Sequence, residues 1–159
     1  MAGRRRHQSN AGRTQAAPGQ GRAIDGVEQI MTADVACVDE GAPVAHLREL
    51  LVERGQHCVP VIAREGRPVG MVTQTDLLRS LGQARRADGD MTAGAIMTAL
   101  VFALPVTASV EQAAALMAYE GVEQLVVTGM GGEVAGVVRA LDVARRCARS
   151  AGYLIDREE

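Results

Sequence analysis

Thr73 and Asp76 stand three residues apart in GMVTQTDLL (70–78), where the pattern reads as a short strand passing into a helix. Two chemistries fit the pair. A Thr at a helix N-cap and an acid three residues on satisfy orphan backbone N–H groups, a capping box that contributes about 1 kcal/mol. The same geometry also suits a ligand. A helix N-terminus offers N–H groups and a positive dipole end to phosphate. The hydroxyls of Thr73 and Thr75 can bind phosphate or ribose, and the Asp76 carboxylate can accept both hydroxyls of a ribose. The stretch returns 66 residues later as GVVRALDVA, with Asp142 in place of Asp76 and Arg139 in place of Thr73. An arginine there can pair bidentately with a phosphate, fill the site, or bridge to Asp142 and block it.

These residues belong to a sequence written twice. IMTADV (30–35) answers IMTALV (96–101), and the glycines at 55, 66 and 70 answer those at 121, 132 and 136. Residues 30–79 set against 96–145 give 15 identities in 50 without a gap, which is the signature of an internal structural repeat. Each copy carries the same apolar patterning. A first strand (DVACV, then LVFAL) precedes a helix. In copy one the helix begins near Pro43 and shows Val44, Leu47 and Leu51 on one face. In copy two Ser109 is the N-cap, with Val110, Ala113, Ala114 and Met117 at helical spacing. Gly55 and Gly121 end these helices. Two apolar runs joined by turn residues follow (CVPVI and VGMVT; QLVVT and VAGVV). A last helix closes each copy, marked by Leu77, Leu78 and Leu81, then by Leu141, Ala144 and Ala148.

The predicted fold class is therefore α/β (α+β), two β-α-β-β-α repeats packed with pseudo-twofold symmetry. A unit of about 55 residues buries too little surface to be secure alone, so the copies are expected to share a core and leave a cleft between them. The predicted organisation is a disordered basic tail (1–22), repeat one (23–81), a linker (82–90), repeat two (91–150) and a C-terminal tail (151–159).

Composition narrows the function. All 17 basic residues are arginine, which removes a P-loop lysine, a Schiff-base lysine and a lysine general base. Five arginines and no acid lie in residues 1–22, whereas the remainder carries 12 arginines against 19 acids, a formal charge of −7. An acidic body with one Phe, two Tyr and no Trp is poor material for a nucleic-acid groove, which needs cationic tracks and stacking faces. No apolar run reaches the roughly 20 residues that span a bilayer, and no apolar stretch follows Arg4–Arg6 to make a secretory signal. Cys37, Cys58 and Cys147 are odd in number and widely spaced, as expected of reduced thiols in a cytoplasm. Cys37 and Cys147 read as small core residues. Without a C-x-x-C or H-x-x-x-H pair, Cys37, His57 and Cys58 make no convincing metal site. No nucleophile elbow, lysine-bearing phosphate loop or zinc-protease helix is present, so catalysis is not expected.

The layout, with IMT before the first strand, G-x-x-x-x-P-V at Gly55–Val61 and G-h-V-T-x-x-D at Gly70–Asp76, resembles a CBS domain pair (the Bateman module, named after cystathionine beta-synthase) over residues 23–150. The resemblance is to the stand-alone bacterial type. It implies a regulatory, non-catalytic module that binds AMP, ADP, ATP, S-adenosylmethionine or NAD between the repeats, with no obligatory cofactor, and that pairs into a homodimer acting on an unidentified protein partner. It implies that Asp76 and Asp142 hold ribose and that Thr73, Thr75 and Arg139 meet sugar or phosphate. His57 and Cys58, in GQHCVPV, would stand near the phosphates. Adenine would lie against aliphatic groups and backbone near Ala36 and Phe102. The second copy departs from the pattern at Arg139 and at Val126, where the first has Pro60. The rival expectation is a ligand-free dimerisation or docking module in which the two aspartates are caps only.

Overall fold

The computed structural model describes residues 25–82 and 91–153; the predicted N-terminal tail, linker residues 83–90 and residues 154–159 lie outside the described residues. The first half comprises α1 (Val44–Arg48) running into a π-helical turn (Glu49–Glu53), then β1 (Cys58–Ile62), β2 (Pro68–Thr73) and α2 (Gln74–Gly82). After a short helix α3 (Ala93–Ile96), the second half comprises β3 (Ala103–Pro105), α4 (Val110–Glu120), β4 (Gln124–Thr128), β5 (Val134–Arg139) and α5 (Ala140–Ser150).

Local chemistry sets the boundaries. Ser109 caps α4 reciprocally: its Oγ accepts from the Gln112 N–H at 3.2 Å, and Gln112 Oε1 accepts from the Ser109 N–H at 2.9 Å. Gly121 ends α4 at φ 68°, and Gly55 takes the same value after the π turn, a left-handed conformation that costs a residue without Cβ little. The hairpins repeat as the sequence does. β1 and β2 pair antiparallel with Val59 opposite Val72, β4 and β5 with Leu125 opposite Val138, and each ladder is irregular at the same repeat position, after Val61 and after Val127.

The copies diverge at the first strand. LVFAL contributes to β3, which runs parallel to β4 over three residue pairs. DVACV forms no strand; Val38 makes a single parallel bridge to Val61. The physical reason is Pro60. In copy two the Val126 N–H donates to the Phe102 carbonyl at 3.0 Å. The corresponding residue of copy one is Pro60, which has no N–H. The freed backbone of Ala36 is satisfied by the Gln56 side chain, whose Oε1 accepts from the Ala36 N–H at 3.2 Å and whose Nε2 donates to the Ala36 and Cys58 carbonyls at 2.9 and 2.7 Å.

The segment leading into each repeat packs on the other repeat. A 3-10 turn, Val27–Gln29, buries Val27 in the core of Ala113, Leu125, Val127 and Val138. Its counterpart α3 buries Ala93 in the core of Leu47, Leu51, Val59 and Val72. The crossing is sealed by backbone pairs between Thr32 and Val137 and between Thr98 and Met71. Two glycines make room for it. A Cβ on Gly136 would come within 2.6 Å of the Thr32 carbonyl oxygen, and one on Gly70 within 2.2 Å of the Met97 sulfur.

Burial departs from the sequence reading in two places. In the closing helices Leu77 and Val143 face the cores, while Leu78, Leu81 and Leu141 are exposed. Cys147, expected in the core, is exposed, because α5 runs on past Val143, its one buried residue. Cys37 is half-buried. No helix among the described residues is long and apolar enough to cross a membrane.

Candidate functional site

Two of the clefts left by the crossing of segments are related by the repeat, and each is walled by both copies. Cleft one, about 440 Å³, lies at the β2–α2 junction; Thr73 and Thr75 face Phe102, Glu123 and Gln124 across it. Cleft two, about 400 Å³, lies at the end of β5; Arg139 faces Ala36, Gln56, His57 and Cys58. Nine lining positions of one cleft map onto the other under the 66-residue shift, among them Thr98 onto Thr32, Phe102 onto Ala36, Glu123 onto His57, Gln124 onto Cys58 and Thr73 onto Arg139. The clefts are thus two copies of one site with different side chains. His57 reaches the lining of both.

At the head of α2 the Asp76 carboxylate turns back on Thr73. Its Oδ2 accepts from the Thr73 N–H at 2.8 Å and from the Thr73 hydroxyl at 2.7 Å, while the Asp76 N–H donates to Thr73 Oγ1 at 3.4 Å. Asp76 is 8 % exposed, with Arg79 at 3.5 Å on its outer side. It stands behind Thr73 and outside the cleft-one lining, so in this state it is a cap that holds the Thr73 side chain in place.

At the head of α5 the guanidinium of Arg139 makes two parallel bonds to Asp142, Nε to Oδ2 and Nη2 to Oδ1, both at 3.0 Å, and the Arg139 N–H donates to Oδ2 at 3.2 Å. Of the arrangements open to Arg139, this is the bridge to Asp142. The hydrogen bond raises the guanidinium pKa above its ordinary value. Nη1 makes no hydrogen bond among the described residues, and Arg139 remains in the cleft-two lining. Burial pushes the Cys58 thiol up to about 12, with Arg139 opposing the shift. Cys58 therefore enters cleft two as a neutral wall atom and not as a thiolate.

The residues expected at the site divide between the clefts. Thr73, Thr75 and Phe102 line cleft one; Ala36, Cys58 and Arg139 line cleft two; His57 lines both; Asp76 and Asp142 stand behind them as partners of residues 73 and 139. Glu123, Gln124, Gln56 and the threonines of the two IMT segments escaped the sequence reading. The signal for Glu123 and Gln124 was present, since they are His57 and Cys58 carried forward by one repeat. Gln124 has a further distinction: its Oε1 is buried and has no hydrogen-bond partner among the described residues. Buried acceptors of this kind are rare in proteins and call for an account. No group of three or more His, Cys, Asp or Glu among the described residues is placed to hold a metal ion.

Two crossed repeats of this topology, with duplicate clefts at the strand–helix junctions, define a tandem-repeat module. The family model for the CBS domain matches residues 27–83 and again 93–149, and the chain belongs to the CBS domain family. The CBS domain pair of protein MJ0100, solved in complex with 5′-methylthioadenosine and S-adenosyl-L-methionine, has a similar fold, with TM-score 0.71, 20 % identity, and coverage of 80 % of this chain and 99 % of that one. A putative signal-transduction protein with CBS domains from Burkholderia ambifaria gives 0.68 at 23 % identity, covering 82 % and 99 %. An uncharacterized conserved protein from Pyrococcus horikoshii gives 0.64 at 30 % identity, covering 77 % of this chain and 53 % of its own. Among curated proteins none matches.

Proposed function

We propose that this chain is a regulatory module that senses an adenine nucleotide or adenosyl compound in the clefts between its repeats, without catalysing a reaction. The observation that carries this reading is the pair of clefts. The shared lining positions form two cavities of a size suited to small ligands. The MJ0100 pair, of similar fold, is a complex with two adenosyl compounds, which supports the ligand class. In this reading the clefts are walled by both repeats, so a ligand that binds two relative arrangements of the repeats unequally shifts their populations. A protein partner in the cytoplasm would read that shift.

Thermal unfolding with AMP, ADP, ATP with and without magnesium, S-adenosylmethionine and NAD tests it. A ligand at a hundred times its dissociation constant stabilises by about 2.7 kcal/mol, roughly 5–10 °C in a domain of this size. No shift with any of them would overturn the reading.

One observation favours a second reading, an interaction module. Val44, Val52, Leu78 and Leu81 line an outward groove of about 500 Å³ between α1 and α2, with Leu78 68 % and Leu81 62 % exposed. A homodimer that covers this groove would be disrupted by Leu78→Glu, read as a halved mass by light scattering. A dimer indifferent to both Leu78→Glu and the ligand panel would refute both readings.

A further inference from the structure

The two copies end their first helix in different ways, and one side chain marks the difference. In copy two α4 stays α-helical to its end. The Gly121 and Val122 N–H groups both donate to the Met117 carbonyl, the second at 3.1 Å. In copy one the ladder slips by one residue. The Arg54 N–H donates to the Glu49 carbonyl and the Gln56 N–H to the Leu50 carbonyl, both at 3.0 Å, across the π turn. The Leu51 carbonyl stands at the repeat position of Met117, yet it accepts from the side chain of Gln74, with Nε2 at 2.9 Å. The Gly55 N–H, its partner in an α-helix, makes no hydrogen bond among the described residues. Copy two has Ala140 at the position of Gln74, with no side-chain group to donate. Gly55 and Gly121 both hold φ at 68°, so neither ending asks for a change at the glycine. The repeats thus display two states of one turn, told apart by whether position 74 supplies a donor. Packing supports the π form as well: Leu50 and Leu51 are both buried, whereas of their counterparts Met117 is buried and Leu116 only half-buried.

Gln74 also stands between two cavities. It lines cleft one and the outer groove between α1 and α2. Val52, inside the π turn and 61 % exposed, lines the same groove. Turns of the π type gather at functional sites. We propose that Gln74 is a switch that couples cleft one to the outer groove. A ligand in cleft one that offers an acceptor competes with the Leu51 carbonyl for Nε2. Once the carboxamide turns to the ligand, Leu51 takes the Gly55 N–H, the turn rewinds to the α form of copy two, and Val52 rotates in the groove wall. The coupling is reciprocal, so whatever fixes the groove in its π form weakens the ligand. This rests on the proposed sensing function and supplies its output. Copy two, with Ala140, has no such link.

Amide exchange and methyl NMR on the full chain test the switch. Gln74→Ala installs the copy-two residue, and Gln74→Glu keeps the shape without the donor. Gln74 is exposed, so both variants should fold. Without ligand, both should slow exchange at Gly55 by about fivefold to tenfold, the worth of one hydrogen bond, and move the Val52 methyl signals. The wild type is then titrated with AMP, ADP, ATP, S-adenosylmethionine and NAD. Whichever of these shifts Thr75 and Phe102 in cleft one should move Gly55 and Val52 in the direction of the variants, and should leave Gly55 of Gln74→Ala unmoved. An unchanged Gly55 in both variants would overturn the switch, whatever binds. A compound that shifts Thr75 and Phe102 but not Gly55 and Val52 would overturn the coupling and leave the sensing function intact. If none of the compounds enters cleft one the coupling fails, and if none enters either cleft the sensing function fails with it.

Discussion

Gln56 offers the sharpest test of how the first repeat is built. Its side chain makes three hydrogen bonds, two to the Ala36 backbone and one to the Cys58 carbonyl, all in a half-buried setting. Each such bond is worth about 0.5–1.5 kcal/mol net. Water can reach this partly exposed edge and recover some of the loss, so Gln56→Val should cost about 2 kcal/mol. For a chain of this length that lowers the midpoint by about 4–8 °C. The structure supplies a built-in rescue. Copy two has Val122 and Val126 where copy one has Gln56 and Pro60, and there the Val126 N–H makes the ladder bond itself. Pro60→Val restores that donor. The double variant Gln56→Val, Pro60→Val should therefore lose less than the sum of the singles, with a coupling of about 1 kcal/mol. Urea or thermal denaturation of the four proteins gives the cycle. Strict additivity, or a Gln56→Val variant within about 0.5 kcal/mol of wild type, would refute the claim that Gln56 replaces the missing proline donor.

Three further outcomes follow from the geometry. Gly136→Ala should destabilise more than Gly70→Ala, because the first added methyl meets the Thr32 backbone oxygen and the second meets only the flexible Met97 side chain; paired denaturation curves would show the order, at about 1–3 kcal/mol for the first. Asp76→Ala should cost about 1–2 kcal/mol from the lost cap on α2 even with no ligand present, and amide exchange should rise first in Thr73–Asp76. Cys58 should resist thiol reagents that modify exposed Cys147 at once. Burial holds its folded pKa at about 12, above the ordinary thiol range, so the unfolded chain loses its proton first and stability should fall as pH rises from about 9 towards 12. A Cys58→Val variant should show less of that slope.

How much of this was legible in the chain differs from element to element. The 66-residue repeat, the hairpins, the Ser109 cap and the glycines after each first helix are local matters of spacing and backbone preference, and the sequence displays them directly. The residue types at 73, 76, 139 and 142 are likewise plain, as is the loss of symmetry between the copies. Local pattern failed where a partner distant in sequence decides the outcome. DVACV has the composition of a strand, yet it stays out of the sheet because Pro60, over twenty residues away, withholds a donor. Val27 and Ala93 carry no mark that each buries itself in the opposite repeat. Asp76 reads as cap or clamp, and only packing turned it on to Thr73. Arg139 had three possible arrangements until the fold set Asp142 at 3.0 Å. Sequence fixes what each segment prefers by itself. Which cleft a side chain faces, and whose charge it meets there, depends on contacts that close only when the two repeats cross.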